Sequence, residues 1–173
     1  MTGDAETRFR AMVEEHFDFI WRSLRGFGVD SASVDDAAQQ VFLVAAKKFD
    51  AIADGSERAF LFATARGIAA NARRGAARRR EVSDDEVLAY QADERPNPEQ
   101  LVASSRERQL LDRLLAGLPE DLGAVFILYE LEGMTMLQIA ALLALPAGTV
   151  ASRLRRAREE FQGAARRYQA GSK

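Results

Sequence analysis

The chain has 173 residues, 47% of them hydrophobic and 29% charged, which is an ordinary balance for one or two small globular domains. It contains no cysteine and a single histidine, which excludes disulfides, thiolate metal sites, a cysteine nucleophile and a His-rich metal cluster. No apolar run reaches the length of about eighteen residues that a membrane span needs, and the N-terminal stretch MTGDAETRFR lacks the apolar part of an export signal. We therefore expect a cytoplasmic protein. No glycine-rich phosphate loop or catalytic triad signature indicates an enzyme, a cofactor or a small-molecule substrate.

The charge is unevenly distributed along the chain. The net charge of −2 is not the basic excess expected of a protein that holds DNA unaided. Residues 1–80 carry 13 basic and 11 acidic side chains, residues 81–104 carry 1 and 7, and residues 105–173 carry 10 and 8. The acidic segment also holds two of the four prolines, so we interpret residues 83–103 as a flexible linker between helical domains at 1–82 and 104–173.

Apolar residues three and four apart predict three helices in the first domain. The buried face of the first helix is predicted to hold Phe9, Met12, Val13, His16, Phe17, Ile20, Trp21 and Leu24. The second helix, with Ser33 as its N-cap, is predicted to bury Val34, Ala37, Ala38, Val41, Phe42, Ala45 and Phe49. The third is predicted from Ala59 to Arg80, with inward-facing Leu61, Thr64, Ala65, Ile68 and Ala72.

The second domain has the pattern of a helix-turn-helix. A leucine-rich helix is followed by one that begins near Pro119 and ends at Gly133. Thr135 and Gln138 have capping-box spacing, which predicts a short helix over 136–143. The final helix is predicted to face the core with Val150, Leu154, Ala157 and Phe161. A short capped helix, a tight turn and a basic, core-anchored helix are together typical of this motif, and the whole chain is predicted to be all-α.

If Val150 and Leu154 are buried, helical geometry turns polar side chains outward near the start of the final helix. These side chains are Thr149, Ser152, Arg153 and Arg156. Arginine binds guanine edges or phosphates, and Ser or Thr hydroxyls donate to either, so this face suits the major groove of DNA. A solvated helix surface, with arginines paired to Glu159 and Glu160, is the structural alternative.

A second basic stripe lies on the third helix. Phe62, Arg66 and Arg73 fall on one side of a helical wheel, with Arg74 beside them. An exposed aromatic ring among arginines suits single-stranded nucleic acid, because the ring stacks on an unpaired base while guanidinium groups follow the backbone. A basic helix end that complements the helix dipole is the alternative for the arginines that end this stripe.

The motifs that carry these features resemble those of a known family. SVDDAAQQVFLVAAKKF, AFLFATARGIAANARR and LPEDLGAVFILYELEGMTMLQIAALLALPAGTVASRLRRAR resemble regions two and four of the small extracytoplasmic-function (ECF) sigma factors of bacterial RNA polymerase. The resemblance implies that region two binds the β′ clamp helices of core polymerase and captures an unpaired base of the −10 element. It also implies that region four reads the −35 duplex and touches the β flap, and that an anti-sigma factor, in some members membrane-bound, holds the protein inactive.

The resemblance also implies roles for particular residues. For the −35 element it implies Thr149, Ser152, Arg153, Arg155 and Arg156. For the −10 element it implies the loop over 50–58 together with Phe62, Arg66, Asn71, Arg73 and Arg74. For the polymerase contact it implies Asp35, Asp36, Gln39, Gln40 and Leu43, of which the last four are predicted to point away from the core.

This chain departs from the family pattern in the middle of the third helix and in the helix-turn-helix. Gly67 and Asn71 stand where the family usually has Asn and Asp, and Ala144 replaces the usual turn glycine. The competing function is an autonomous helix-turn-helix regulator that binds DNA as a dimer. That function explains the second domain equally well, and it predicts binding to a two-fold symmetric site without polymerase.

Overall fold

The computed structural model describes residues 3–82 and 98–171, and all regular structure within these ranges is helical. The first group of helices is α1 (Gly3–Gly26), α2 (Val34–Lys47) and α3 (Glu57–Val82), with a 3-10 turn at Phe49–Ala51. The second group is α4 (Pro98–Ala116), α5 (Glu120–Phe126), α6 (Met136–Leu143) and α7 (Ala147–Gly171), with a π-helical turn at Ile127–Leu131 after α5. The predicted all-α architecture is confirmed.

Helix α2 buries the apolar face that its spacing predicts. The residues of this face are Val34, Ala37, Ala38, Val41, Phe42, Ala45 and, just beyond the helix, Phe49. Ser33 is the N-cap residue, as predicted, but its side chain makes no capping hydrogen bond. The Asp30 carboxylate instead accepts hydrogen bonds from the amides of Ala32 and Ser33, at 3.0 and 2.9 Å, and so orders the turn before the helix.

Helix α1 is covered on two sides, by α2 and by α3. Ile20 and Leu24 are buried as predicted, whereas Phe17 is 39% exposed and stacks on Phe42 with ring centroids 6.1 Å apart. Phe19 was not among the predicted core residues, yet it is buried against α3. A single amphipathic stripe predicts one buried face only, and it therefore misses a residue that faces the second covering helix.

Helix α4 begins at Pro98, so residues 98–103 of the predicted linker are helical. Residues 83–97, the rest of that linker, lie outside the described part of the chain. The π turn after α5 ends at Leu131, and Gly133 follows with a positive φ of 64°. Glycine adopts this left-handed conformation without the steric cost that a Cβ would add, which explains why the predicted helix end falls here.

The two helix groups pack against each other through α1. An added Cβ at Gly26 would lie 2.9 Å from the Ile127 side chain, and one at Gly28 would lie 2.6 Å from Cβ of Ala116. Glycine at these two positions therefore allows the second group to approach α1 closely. One continuous apolar core extends from Met12 in α1 to Leu154 in α7, and a smaller cluster around Phe126 and Phe161 supports α5 and α7.

Two ion pairs join the same surfaces. The Arg22 guanidinium donates two hydrogen bonds to the Glu132 carboxylate, at 2.9 and 2.8 Å, and the Glu132 side chain is only 3% exposed. The hydrogen bonds to Glu132 raise the pKa of Arg22. Arg25 pairs with Asp112, but burial raises the pKa of Asp112 more than Arg25 lowers it. The Arg22–Glu132 pair has two hydrogen bonds to a carboxylate that is almost fully buried, and we expect it to be the main polar contact between the two helix groups.

In the described residues, no single helix combines the length and apolar character needed to cross a membrane. The pair α6 and α7 passes that test together, but only across a bend of 106°.

Candidate functional site

Helices α6 and α7 form the predicted helix-turn-helix. The Thr135 hydroxyl accepts a hydrogen bond from the Gln138 amide at 3.3 Å, and the Gln138 side chain accepts one from the Thr135 amide at 2.8 Å. The predicted capping box and both ends of α6 are thus confirmed. Ala144 ends α6 in the left-handed conformation, with φ of 51°, and α7 begins three residues later at an angle of 106°. This angle lies in the range of DNA-binding helix pairs.

The start of α7 exposes a polar face beside its buried seam. Val150, Leu154 and Ala157 are buried, as predicted, and Phe161 is half-buried. Ser152 and Arg156 are exposed, whereas Thr149 is half-buried. The predicted outward face is therefore present over the first three turns of the helix.

The arginines of α7 differ in their partners. Nε of Arg153 lies 3.4 Å from the Asp121 carboxylate on α5, and Arg153 is half-buried. Arg155 forms an ion pair of 2.7 Å with Glu159 one turn later, the solvated pairing considered above as the alternative. Arg156 has no ion pair with any described residue and projects into solvent. Arg156 is therefore the arginine on this face most available to a ligand.

The prediction that Phe62 is exposed is wrong. Its side chain is 1% exposed and packs between Phe19 and Phe27, with ring centroids 5.7 and 5.4 Å away. The physical reason is that α3 packs on α1 as well as on α2. The residues Phe62, Ala65 and Ala69, spaced three and four apart, form a second apolar stripe that the sequence contained.

Two arginines of α3, Arg66 and Arg73, contact the second helix group. Nε of Arg66 is 3.1 Å from the Glu120 carboxylate, and Arg73 donates a hydrogen bond of 3.5 Å to the carbonyl of Ala116. Arg74 is exposed and donates to the Asn71 side chain on the same helix. Arg66, Arg73 and Arg74 of the predicted stripe thus lie on one side of α3, but the Phe62 ring is not exposed beside them.

The predicted polymerase-contact residues lie on the exposed side of α2. Asp36, Gln39 and Gln40 are exposed, and Leu43 is 53% exposed, which is unusual for a large apolar side chain beside polar neighbours. Asp35 is also exposed, but its carboxylate accepts a hydrogen bond of 2.9 Å from the Trp21 indole. Asp35 therefore links α1 to α2, so at least part of its role is structural.

Comparison with known proteins identifies both halves of the chain. Residues 12–79 match the Sigma-70 region 2 family, and residues 108–161 match the Sigma-70, region 4 family. Over 139 residues the chain is 34% identical to the ECF RNA polymerase sigma-E factor of Escherichia coli K12, covering 76% of this chain and 73% of that protein. The chain belongs to the ECF sigma factors. It is also 27% identical to the ECF sigma factor SigE of Mycolicibacterium smegmatis, over 93% of this chain and 63% of that protein.

Solved structures share the fold of this sigma factor. CnrH in complex with the cytosolic domain of CnrY matches with a TM-score of 0.66 at 23% identity, covering 91% of this chain and 87% of that one. The sigma factor RpoE of Bartonella quintana, in complex with the anti-sigma factor NepR, matches with a TM-score of 0.55 at 22% identity, covering 88% and 96%.

The family membership decides between the two functions left open by the sequence. This sigma factor binds core RNA polymerase and promoter DNA and directs promoter-specific initiation of transcription. The autonomous dimeric regulator gains no support from these comparisons. The π turn and the residues that pair the two helix groups were missed by sequence reasoning, because neither follows from helical periodicity.

Proposed function

We propose that this sigma factor reads the −35 duplex with the first three turns of α7, through Thr149, Ser152, Arg153 and Arg156. The observation that carries the proposal is the polar face at the start of α7, beside the buried Val150. The capped helix α6 comes immediately before it, and the two helix axes differ in direction by 106°. Such a helix pair presents the N-terminal residues of its second helix to base edges in the major groove. Because Arg155 already pairs with Glu159, its role is a phosphate contact made after that solvated pair opens.

For the −10 element, the proposal retains the segment over 50–58, which runs from the 3-10 turn through a loop into the first turn of α3, and the polar residues Arg66, Asn71, Arg73 and Arg74. The four polar residues share one basic surface on α3. This surface suits binding to the phosphate backbone of a single DNA strand. Phe62 is withdrawn from this set, because a buried ring has no face on which a base can stack. A base captured from the promoter is therefore held by the loop and not by this ring.

For the polymerase contact, Asp36, Gln39, Gln40 and Leu43 form the proposed face, which binds the β′ clamp helices, while region four meets the β flap. An exposed leucine among carboxylate and amide groups has the composition of a protein interface. Phe17 adds to this proposal, because it is exposed and stacks on Phe42, the neighbour of Leu43 in sequence. Asp35 contributes by holding α2 against Trp21.

The proposal includes a cytoplasmic site of action and an anti-sigma factor, soluble or membrane-bound, as regulator. Its support is that one structural neighbour was solved with the cytosolic domain of CnrY and another with the anti-sigma factor NepR. It also retains the division into a region-two domain at 1–82, a linker and a region-four domain, with the linker ending before α4 at Pro98.

The test is transcription in vitro with core polymerase and limiting sigma factor. Arg156→Ala removes an exposed arginine from the proposed reading face, whereas Arg166→Ala removes an exposed arginine further along the same helix. We expect Arg156→Ala to lower promoter-specific transcription at least about fivefold, since one good base contact contributes about 1–3 kcal/mol. Arg166→Ala should stay within about twofold of wild type. Equal transcription by the two variants contradicts the assigned reading face.

A further inference from the structure

The segment over 50–58, to which the proposed function assigns the captured base, is held at both of its ends. Phe49, immediately before the segment, is 6% exposed and Ile52 is 8% exposed, so both side chains belong to the core. At the other end, the Arg58 guanidinium lies 4.2 Å from the centroid of a buried phenylalanine ring in α1. Residues 53–56 form the exposed tip between these anchors. The tip therefore needs contacts of its own to take a fixed position.

A residue of α1 supplies such a contact. The Arg8 guanidinium forms an ion pair with the Asp54 carboxylate of the tip, 46 positions further along the chain. The same guanidinium lies over the Phe49 ring, 5.2 Å from its centroid, and Phe9 meets that ring edge-on with centroids 5.5 Å apart. We propose that Arg8 is a positioning residue for base capture, which holds the tip, through Asp54, in the conformation that receives the unpaired base.

The charge of the segment supports this role. The segment contains three acidic side chains, Asp50, Asp54 and Glu57, and one basic side chain, Arg58. Because a promoter strand carries a negative charge at each phosphate, this excess of carboxylates repels the strand that the segment is proposed to bind. The ion pair with Arg8 neutralises the Asp54 carboxylate, which is exposed to the approaching strand. Arg8 therefore acts on both the conformation and the charge of the tip.

The exposure of the ion pair sets the size of the expected effect. The Arg8 and Asp54 side chains are 49% and 85% exposed, so water screens their attraction and the pair contributes little to the stability of the fold. The pair still changes the fraction of molecules in which the tip is correctly placed. The advantage of the preferred base falls in proportion to that fraction, whereas a base that the tip does not recognise gains nothing from it.

The experiment measures base preference at each promoter position, with the full chain and core polymerase. The template is a promoter recovered from genomic fragments with the wild-type factor. It is randomised at one position of its −10 or −35 element at a time, and a transcribed barcode identifies each template when the transcripts are sequenced. Arg8→Gln removes the charge and retains a good helix former. The matched control is Arg10→Gln, at an exposed arginine of the same helix that forms no ion pair with any described residue.

We expect Arg8→Gln to lower the ratio of transcription between the best and the worst base by about two- to fivefold at one −10 position, and to leave the ratios at −35 positions unchanged. Arg10→Gln should match wild type at every position. Arg8→Lys, which retains the charge that pairs with Asp54, should lose less of the ratio than Arg8→Gln. In an Asp54→Asn chain, Arg8→Gln should have little further effect, because the ion pair is already lost.

Unchanged ratios in Arg8→Gln overturn the proposal, and so does an equal loss of transcription from all templates, which is what a purely structural role gives. A loss of preference that is the same with Asp54 and with Asn at that position also overturns it, because Arg8 then acts on DNA directly.

The inference rests on the −10 role proposed for the segment over 50–58, and that role is tested separately by placing glycine at every position of the tip, residues 53–56. If the glycine variant keeps the wild-type base preference, the −10 role of the segment fails and the inference fails with it. If the glycine variant loses the preference while Arg8→Gln keeps it, the −10 role stands and positioning by Arg8 does not.

Discussion

Phe62 of α3 and Phe19 of α1 stack in the core with ring centroids 5.7 Å apart, and Phe62 is 1% exposed. Phe27 closes the other side of the Phe62 ring at 5.4 Å. The basic stripe of α3 therefore has a structural aromatic residue beneath it. Under the −10 role proposed for this helix, the promoter strand meets its arginines and Asn71, because the buried Phe62 ring has no face on which a base can stack.

Phe62→Ala is expected to lower the free energy of unfolding by about 3–5 kcal/mol, the usual cost of removing a buried phenylalanine. Phe62→Leu, which retains most of the apolar volume, should cost less and should keep transcription near the wild-type level. Urea unfolding followed by circular dichroism measures the first effect. A Phe62→Ala protein with wild-type stability and a selective loss of −10 recognition would show that the ring contacts DNA after all.

Ala144 holds the turn of the helix-turn-helix in a left-handed conformation, with φ of 51°. This conformation strains an L-residue, so Ala144→Gly should raise the free energy of unfolding by up to about 1 kcal/mol. The matched control is Ala141→Gly at an exposed position inside α6, which should lower it by about 1 kcal/mol. The same sign of change in both variants, measured by urea unfolding, would contradict the assigned turn geometry.

Thr135 begins α6 by exchanging hydrogen bonds with Gln138. Thr135→Ala should lower the free energy of unfolding by about 1 kcal/mol, because the Gln138 amide loses its acceptor. Thr135→Ser retains the hydroxyl and should lose less than half as much. If the alanine and serine variants are equally stable, the capping box contributes nothing to the stability of this motif.

The exposed face of α2 is expected to bind polymerase without stabilising the fold. Asp36→Ala combined with Gln40→Ala should weaken binding to core polymerase at least tenfold and leave the melting temperature within a few degrees of wild type. The control is Glu14→Ala with Glu15→Ala on the exposed side of α1. Binding is measured by fluorescence anisotropy of the labelled sigma factor against core polymerase. Equal affinities for the two double variants would mean that polymerase binds another surface.

Much of the fold follows from local rules that can be read in the sequence. The buried face of α2 was predicted residue by residue, because its contacts with α1 and α3 fall on one continuous apolar stripe that obeys the 3.6-residue period. Both ends of α6 were predicted from Thr135, Gln138 and the turn that follows, because capping is a contact between near neighbours in the chain. The outward face of α7 follows from its buried seam in the same way.

The errors arise where two or more elements meet. The burial of Phe62 and Phe19 depends on α1 and α3 packing on each other, and a helical wheel drawn for one helix contains no such information. The pairs of Arg22 with Glu132 and of Arg66 with Glu120 join residues far apart in the sequence, so no spacing rule predicts them. The capping rule also failed in part at Ser33, within a single turn. The Asp30 carboxylate, three residues earlier, accepts the hydrogen bonds that order this turn, and the Ser33 side chain does not cap the helix.

We expect this chain to read promoters only as part of the polymerase. This expectation is tested most directly by transcribing fragmented genomic DNA with core polymerase and this sigma factor, and by measuring DNA binding of the sigma factor alone on the same fragments. We expect transcripts that start downstream of one shared two-part sequence, and no tight site for the protein alone. Tight binding of the protein alone to a two-fold symmetric site, without specific transcripts, would show instead that it acts as an autonomous regulator.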